Sequence, residues 1–177
     1  MEHKLSNDAV VLMSKWKTKC RDETRFGDIP TWDKYFVEMA FNISKRSCDG
    51  QSHCGCVLTT KTHEILATGY NGFMRDINDT RLPNLRPEKY PWMIHAEHNA
   101  ILSCARQGKS TLDAIAYVTG EPCIYCLQYL WQAGITDIIH GTNQTSMQDE
   151  EMDLKAEIFK YLTDHKLNIR QVDISRK

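Results

Sequence analysis

The most constraining feature of the chain is an alternation of short apolar runs and amphipathic segments that begins near residue 54. "CGCVLTT" (Cys54–Thr60) and "EILATGYN" (Glu64–Asn71) are separated by the polar tip "KTH", the pattern of a β-hairpin. "HAEHNAILSCAR" (His95–Arg106) then has helical spacing at Ala96, Asn99, Ala100 and Ser103, with Gly108 past its end as a stop signal. "AIAYVT" (Ala114–Thr119) is a buried-strand pattern, and "PCIYCLQYLWQAG" (Pro122–Gly134) a helix entered through proline and left through glycine. "TDIIHG" (Thr136–Gly141) is a strand, "DEEMDLKAEIFKYLTDH" (Asp149–His165) an amphipathic helix and "NIRQVDI" (Asn168–Ile174) a last strand. A hairpin followed by alternating helices and strands predicts a three-layer α/β domain on a mixed sheet. The strand order is not written in this pattern.

Upstream, a helix is expected to start near Thr31 or Asp33, with Trp32, Phe36, Met39, Ala40 and Ile43 on one face. An earlier helix over residues 6–20 is suggested by Ala9, Val10, Leu12, Met13 and Trp16 after a Ser6/Asn7 start. The polar connection "CRDETRFGDIPT" follows it. The expected organisation is therefore a helical extension over 1–30 and a domain over 31–177. Residues 73–94 stand apart, with Pro83, Pro87, Pro91, Arg75, Arg81 and Arg86 and little periodicity. Loops of that length inside a compact domain are uncommon and often functional.

Charge and cysteine usage narrow the class. Lys and Arg number 22 against 23 Asp and Glu, which argues against a long nucleic-acid footprint. A small anion needs only two or three local cations and stays possible. "AVVLM" is far too short to span a membrane, and the start lacks a signal-peptide layout. A soluble, cytoplasmic protein is expected, with neither nucleic acid nor membrane as partner. In such a compartment the seven cysteines are more often buried, metal-bound or catalytic than disulfide-bonded.

"PWMIHAEHNAI" (Pro91–Ile101) holds His95, Glu97 and His98 within four residues. Three ligands of one metal, a ligand beside a general base, or an ordinary polar helix start would all look like this. "GEPCIYC" (Gly120–Cys126) narrows the choice. If Cys123 opens a helix, Cys126 lies one turn on and both sulfurs reach one ion. Thiolates at a helix N-terminus are favoured by its unpaired N–H groups. His95, Cys123 and Cys126 would leave a fourth tetrahedral position open, the layout of catalytic rather than structural zinc. A carboxylate beside water in that position moves protons. Glu97 is placed for this only if His95 lies in the non-helical first turn, and His98 as a fourth ligand would close the site. His-x-Glu followed by Pro-Cys-x-x-Cys is also the signature of the zinc nucleobase deaminases.

The chain resembles the deoxycytidylate (dCMP) deaminases of the cytidine/deoxycytidylate deaminase superfamily. The resemblance is carried by "WDKYFVEMAFNISKRSCD" (Trp32–Asp49), "ATGYNGF" (Ala67–Phe73), "KYPWMIHAEHNAI" (Lys89–Ile101) and "YVTGEPCIYCLQYLWQAGI" (Tyr117–Ile135). It implies a cytidine-deaminase-like three-layer α/β/α fold with a five-stranded mixed sheet. It further implies hydrolytic deamination of dCMP to dUMP and ammonia, feeding dTMP synthesis. His95, Cys123 and Cys126 would hold Zn²⁺, and Glu97 would pass protons from water to N3 and the leaving amine. The backbone at Ala96 would hold the pyrimidine edge, Asn71 the sugar, and Arg46 with Ser47 the phosphate. Members of the family are commonly homo-hexamers, activated by dCTP and inhibited by dTTP with Mg²⁺ at a second site, for which Gly72, Asn99 and Arg106 are the matching positions. The loop arginines would serve the same effector.

The chain also departs from the family pattern. His98 stands where relatives often have an apolar residue. "TNQTSMQDEE" offers no aromatic ring to stack on the base, which leaves Tyr70, Phe73 or Trp131 for that role. Cys48, His53 and Cys54 are available for the second, structural zinc that some viral relatives hold.

Overall fold

The computed structural model describes residues 7–8, 10–12, 29–143 and 149–174. The chain divides into two compact units, Met1–Thr31 and Trp32–Lys177. In the first, residues 7–8 and 10–12 are helical. The remainder of the helix expected over 6–20, with Met13 and Trp16, lies outside the described residues.

The second unit is built on a five-stranded sheet in the order β2-β1-β5-β6-β7. Its elements run α1 (Trp32–Ser44), β1 (Gly55–Thr59), β2 (Ile65–Tyr70), β3 (Gly72–Phe73), β4 (Met93–Ile94), α2 (Ala96–Gln107), β5 (Ile115–Gly120), α3 (Ile124–Gln132), β6 (Asp137–Asn143), α4 (Asp149–Thr163) and β7 (Asn168–Gln171). The short hairpin forces β1 and β2 antiparallel, and β1 also pairs antiparallel with β5. Helical crossovers α3 and α4 bring the next strands back in the same direction, so β5–β6 and β6–β7 are parallel. The mixed sheet joins the antiparallel hairpin to these parallel crossovers through the β1–β5 pairing.

Period-2 alternation divides the core in two. Cys56 and Leu58 of β1, Ala116 and Val118 of β5 and Ile138 of β6 face one side. They meet Ala96, Ala100 and Cys104 of α2 and Leu127 and Leu130 of α3, with Ile158, Phe159 and Leu162 of α4 packed at the margin. Val57, Tyr117 and Ile139 face the other side, against Phe36, Val37, Ala40 and Phe41 of α1. Three helices on one face and one on the other make the α/β/α layering. Burying a Leu or Phe side chain in such a core contributes about 1.5–3 kcal/mol.

Two glycines matter for where the site lies. A Cβ on Gly69 of β2 would sit 2.1 Å from the carbonyl oxygen of Ala96, so only glycine lets the strand touch the first turn of α2. Gly108 stops α2 in a left-handed conformation (φ 65), its N–H reaching the carbonyl of Ala105. The aperiodic stretch 73–94 is more ordered than its sequence suggests. β4 near its end pairs with β3, and a 3₁₀ turn occupies Asp79–Arg81.

Candidate active site

Two helix starts converge below the sheet. His95 is the N-cap of α2 and Cys123 that of α3, both with extended backbone (ψ 157 and 167) and neither using its side chain as a cap. Ordinary caps are Ser, Thr, Asp or Asn, which bond back to the helix. Here both side chains are left to point at a common place. Cys126 follows one turn after Cys123 on the same face, fully buried. The ligand atoms of His95, Cys123 and Cys126 lie within 4.8 Å of one another, and among the described residues this is the one such group. His95 Nδ1 is 3.2 Å from Cys126 Sγ and 3.6 Å from Cys123 Sγ. Tetrahedral zinc with its usual bond lengths separates such atoms by about 3.5–3.8 Å, so the donor set fits that ion.

The electrostatics of the group suit a metal. The Cys126 thiol donating to it, against the opposing effect of burial, draws Cys123 down to about 4, and His95 pulls the same way. Cys126, which gives that hydrogen bond and is buried as well, is held far above the ordinary thiol range. The bond to Cys123 raises His95, again against burial. One thiolate, one thiol and one imidazole this close stand ready to exchange protons for a cation.

Glu97 sits in the first turn of α2 and is 5 % exposed. Burial raises its carboxyl above the ordinary value, with its own backbone N–H and His95 working against the shift. It opens onto a cavity of about 220 Å³ whose walls include Ser52, His53, Thr119, Glu121 and Asn143. His98 is not one of the converging ligands, although its ring stacks on that of His95 with centroids 5.9 Å apart. Its ring packs edge-on against Tyr129 at 4.2 Å, and its Nε2 is buried without a hydrogen-bond partner. It does not close the metal group.

The wall of the cavity is organised by Asp49, which the sequence did not single out. Its Oδ1 accepts from Gln51 N (2.8 Å), Ser52 N (3.0 Å) and Lys89 Nζ (2.5 Å). Its Oδ2 accepts from Ser52 Oγ (3.1 Å) and Asn71 Nδ2 (3.0 Å). Asp49 and Lys89 are both almost fully buried. Burial alone would raise Asp49, but Lys89 and the two amides outweigh it and hold the carboxyl below its ordinary value. The segment before β4 thereby straps the turn after α1. Asn84 adds two more bonds, to Gly50 N and Cys48 O. Lys89 had a trace in sequence, in Lys-Tyr-Pro; Asp49 had none beyond its place at the end of a matching stretch.

The expected substrate residues do not all gather at Glu97. Ala96 is fully buried beside it. Asn71 spends its amide within the protein: Oδ1 accepts from Cys54 N at 2.7 Å, and Nδ2 donates to Asp49 and to Ser52 O. Only the second lone pair of Oδ1 remains for a ligand. Ser47 donates to Asn71 O and accepts from Asp49 N.

Arg46 and Ser47 line a different, larger cavity of about 740 Å³, together with Gly72, Asn99, Arg75 and Arg106. The reason is the Asp49 turn, which sends residues 45–48 to one side and 51–54 to the other. The effector positions Gly72, Asn99 and Arg106 do share one cavity, where Asn99 Nδ2 also donates to Tyr70 O at 2.8 Å. Tyr70 and Phe73 line this second cavity and Trp131 packs on the core, so none of the three lines the cavity at Glu97. Cys48, His53 and Cys54 do not form a second metal group among the described residues.

An open His/Cys/Cys set beside a buried carboxylate, in a three-layer α/β/α domain, is the layout of a zinc enzyme rather than of a structural zinc module. Residues 30–142 match the model of the cytidine and deoxycytidylate deaminase zinc-binding region, and the chain belongs to that family. It is 32 % identical to the deoxycytidylate deaminase of Homo sapiens over 144 residues, covering 78 % of this chain and 77 % of the relative. The deoxycytidylate deaminase of Mus musculus is 33 % identical over the same span. The fold is shared with the dCMP deaminase of cyanophage S-TIM5 in complex with dCMP and dUMP, at a TM-score of 0.64 and 20 % identity, over 82 % of this chain and 99 % of the other. Among the described residues no helix is long and apolar enough to cross a membrane.

Proposed function

We propose that the protein hydrolyses dCMP to dUMP and ammonia, and that it is a regulated enzyme. The observation that carries the reading is the buried Glu97 carboxyl beside the His95/Cys123/Cys126 group, in a chain whose relatives over 78 % of its length are deoxycytidylate deaminases. His95, Cys123 and Cys126 would hold Zn²⁺, which when bound would supply a Lewis acid and bring the pKa of water toward about 7. Glu97 takes a proton from the attacking water and delivers it to N3 of the cytosine. With the C4–O bond formed, it carries the remaining proton of that water from the C4 hydroxyl to the amine, the C4–N bond breaks, and water and dCMP become dUMP and ammonia. The backbone at Ala96 borders the pyrimidine edge, and Asn71 offers its remaining lone pair to a sugar hydroxyl. Desolvation of Glu97 suits the role, since a base with a raised pKa holds its proton well enough to return it.

The second cavity is the effector site in this reading. Arg46, Arg75 and Arg106 supply charge for a triphosphate, and Gly72 and Asn99 border it. The effectors are dCTP as activator and dTTP as inhibitor, each with Mg²⁺, in a cytoplasmic homo-hexamer, and the product feeds dTMP synthesis. This assigns Arg46 and Ser47 to the effector's side of the Asp49 turn rather than to the substrate phosphate.

Ammonia release from dCMP, cytidine, deoxycytidine and dCTP, each with and without Mg·dCTP or Mg·dTTP, tests both halves. Selective turnover of dCMP, raised by dCTP and lowered by dTTP, is expected. Absence of turnover with every cytosine compound by zinc-loaded protein overturns the reading.

A further inference from the structure

Two of the three metal-group residues hang on a short segment. Between the end of β5 at Gly120 and the N-cap Cys123 stand only Glu121 and Pro122. Gly120 is tightly seated: a Cβ there would sit 2.3 Å from the carbonyl oxygen of Asn143 on β6. Pro122 has no N–H to give to a ladder, and Cys123 makes no side-chain cap. What reaches this segment from outside is α4. Lys155 Nζ lies 2.5 Å from Glu121 Oε2. Lys155 is 6 % exposed, an unusual burial for a lysine. Among the described residues Glu121 is the one hydrogen-bond partner of Nζ, and the face of Phe159, one turn along α4, lies 5.2 Å away at its centroid. The helix itself is seated on the core through Ile158, Phe159 and Leu162. An ammonium taken out of water needs a close anion, so the carboxylate is drawn to the place where α4 sets the lysine.

We propose that Lys155 is a positioning residue for the metal group: through Glu121 it fixes the segment before Cys123, so that docking of α4 and binding of zinc are coupled. This rests on the reading of His95, Cys123 and Cys126 as zinc ligands. Glu121 lies two residues before Cys123, and Cys126 follows one turn later on the same helix. A shift of the segment therefore moves both sulfurs relative to His95, which a different helix carries. A tetrahedral site holds its ion only while the donors keep their spacing, and residues outside the ligand shell contribute by keeping it. Neither Lys155 nor Glu121 touches the ion or the substrate in this role. The coupling is reciprocal: what docked α4 adds to zinc affinity, zinc adds to the docking of α4.

The test is the zinc dissociation constant of the full chain by chelator competition, with the absorption of the Co²⁺-loaded protein as the readout of ligand geometry. Lys155→Met leaves an apolar chain in the buried place and Glu121, 44 % exposed on its side chain, to water. It is expected to weaken zinc by roughly tenfold, the lower end of what residues outside the ligand shell contribute, and to alter the Co²⁺ spectrum. Lys155→Arg, which keeps a donor for Glu121, is expected to recover most of the affinity. The double variant Glu121→Gln/Lys155→Met strands no charge and carries the test if the single variant does not fold. It is expected to lose no more than Lys155→Met, because the two side chains act as one unit. In the unaltered protein zinc is expected to slow amide exchange across α4, and in Lys155→Met to slow it less. Unchanged zinc affinity and Co²⁺ spectrum in folded Lys155→Met or in the double variant overturn the proposal, as does zinc binding that leaves exchange across α4 untouched in the unaltered protein. If the unaltered protein binds no zinc, the zinc reading itself has failed.

Discussion

The two cavities of the domain are built in opposite ways. The one at Glu97 is small, walled by strand ends and helix starts, and its reactive carboxyl is almost wholly out of water. The one at Arg106 is about three times as large and is bordered by long basic side chains that remain exposed, Lys45, Arg46, Arg75 and Arg106. Proton transfer needs a desolvated group fixed within hydrogen-bond reach, which rigid elements supply. Holding a polyanion needs charge more than position, which flexible side chains supply. One carboxylate stands between the two. Asp49 fixes Gln51 and Ser52 on the first cavity, and through the Ser47 hydroxyl it touches the border of the second.

The largest expected effect comes from breaking that divider. Lys89→Met strands the Asp49 carboxylate in the interior, and removing one partner of a buried ion pair costs about 3–5 kcal/mol. Chemical denaturation should show a loss of that order, and the double variant Asp49→Asn/Lys89→Met should recover much of it. A loss under 1 kcal/mol would mean that the pair does not hold the turn.

A smaller effect sharpens the contrast between the cavities. Arg106→Ala and Arg75→Ala should each raise the dCTP concentration needed for half-activation by about tenfold, the worth of one charge-assisted contact. Arg81 does not line the second cavity, lying instead in the 3₁₀ turn, and Arg81→Ala should leave the activation curve where it was. Equal shifts for Arg75 and Arg81 would show that loop charge in general, not the cavity, attracts the effector.

The smallest effect is on pH. Lys89 and the amides of Gln51 and Ser52 hold the Asp49 carboxyl below its ordinary value in the native protein despite its burial. A carboxyl depressed on folding contributes stability that is fully present above its unfolded pKa, near 4, and is lost as pH falls through the native value. Thermal midpoints measured downward from pH 5 should therefore drop for the unaltered protein, and Asp49→Asn should flatten that part of the profile.

Much of this was legible before the structure. The hairpin, the helix at His95 and the helix at Cys123 follow from period and punctuation, because each element carries its own local signal. The metal group was legible for the same reason, since Cys123 and Cys126 are one turn apart and His95 follows a proline loop. What was hidden depends on long-range packing. Lys155 reaches Glu121 across 34 residues and Lys89 reaches Asp49 across 40. No local pattern distinguishes those lysines from any other helix-face or loop lysine. Arg46 lines the second cavity rather than the one at Glu97 for a related reason. Which side of the Asp49 turn a residue faces is set by bonds from Lys89 and Asn71, far along the chain. The ladder between β3 and β4 was hidden because two residues per strand are too few to show a period.

The most direct test of the account is Glu97→Gln, read by metal content, dCMP turnover and dCTP binding on the same preparation. The division of labour between the cavities predicts one zinc per chain as before, turnover lowered by about 10²–10⁴-fold, and dCTP bound with unaltered affinity. Undiminished turnover would contradict Glu97 as the proton carrier, and with it the assignment of chemistry to the small cavity.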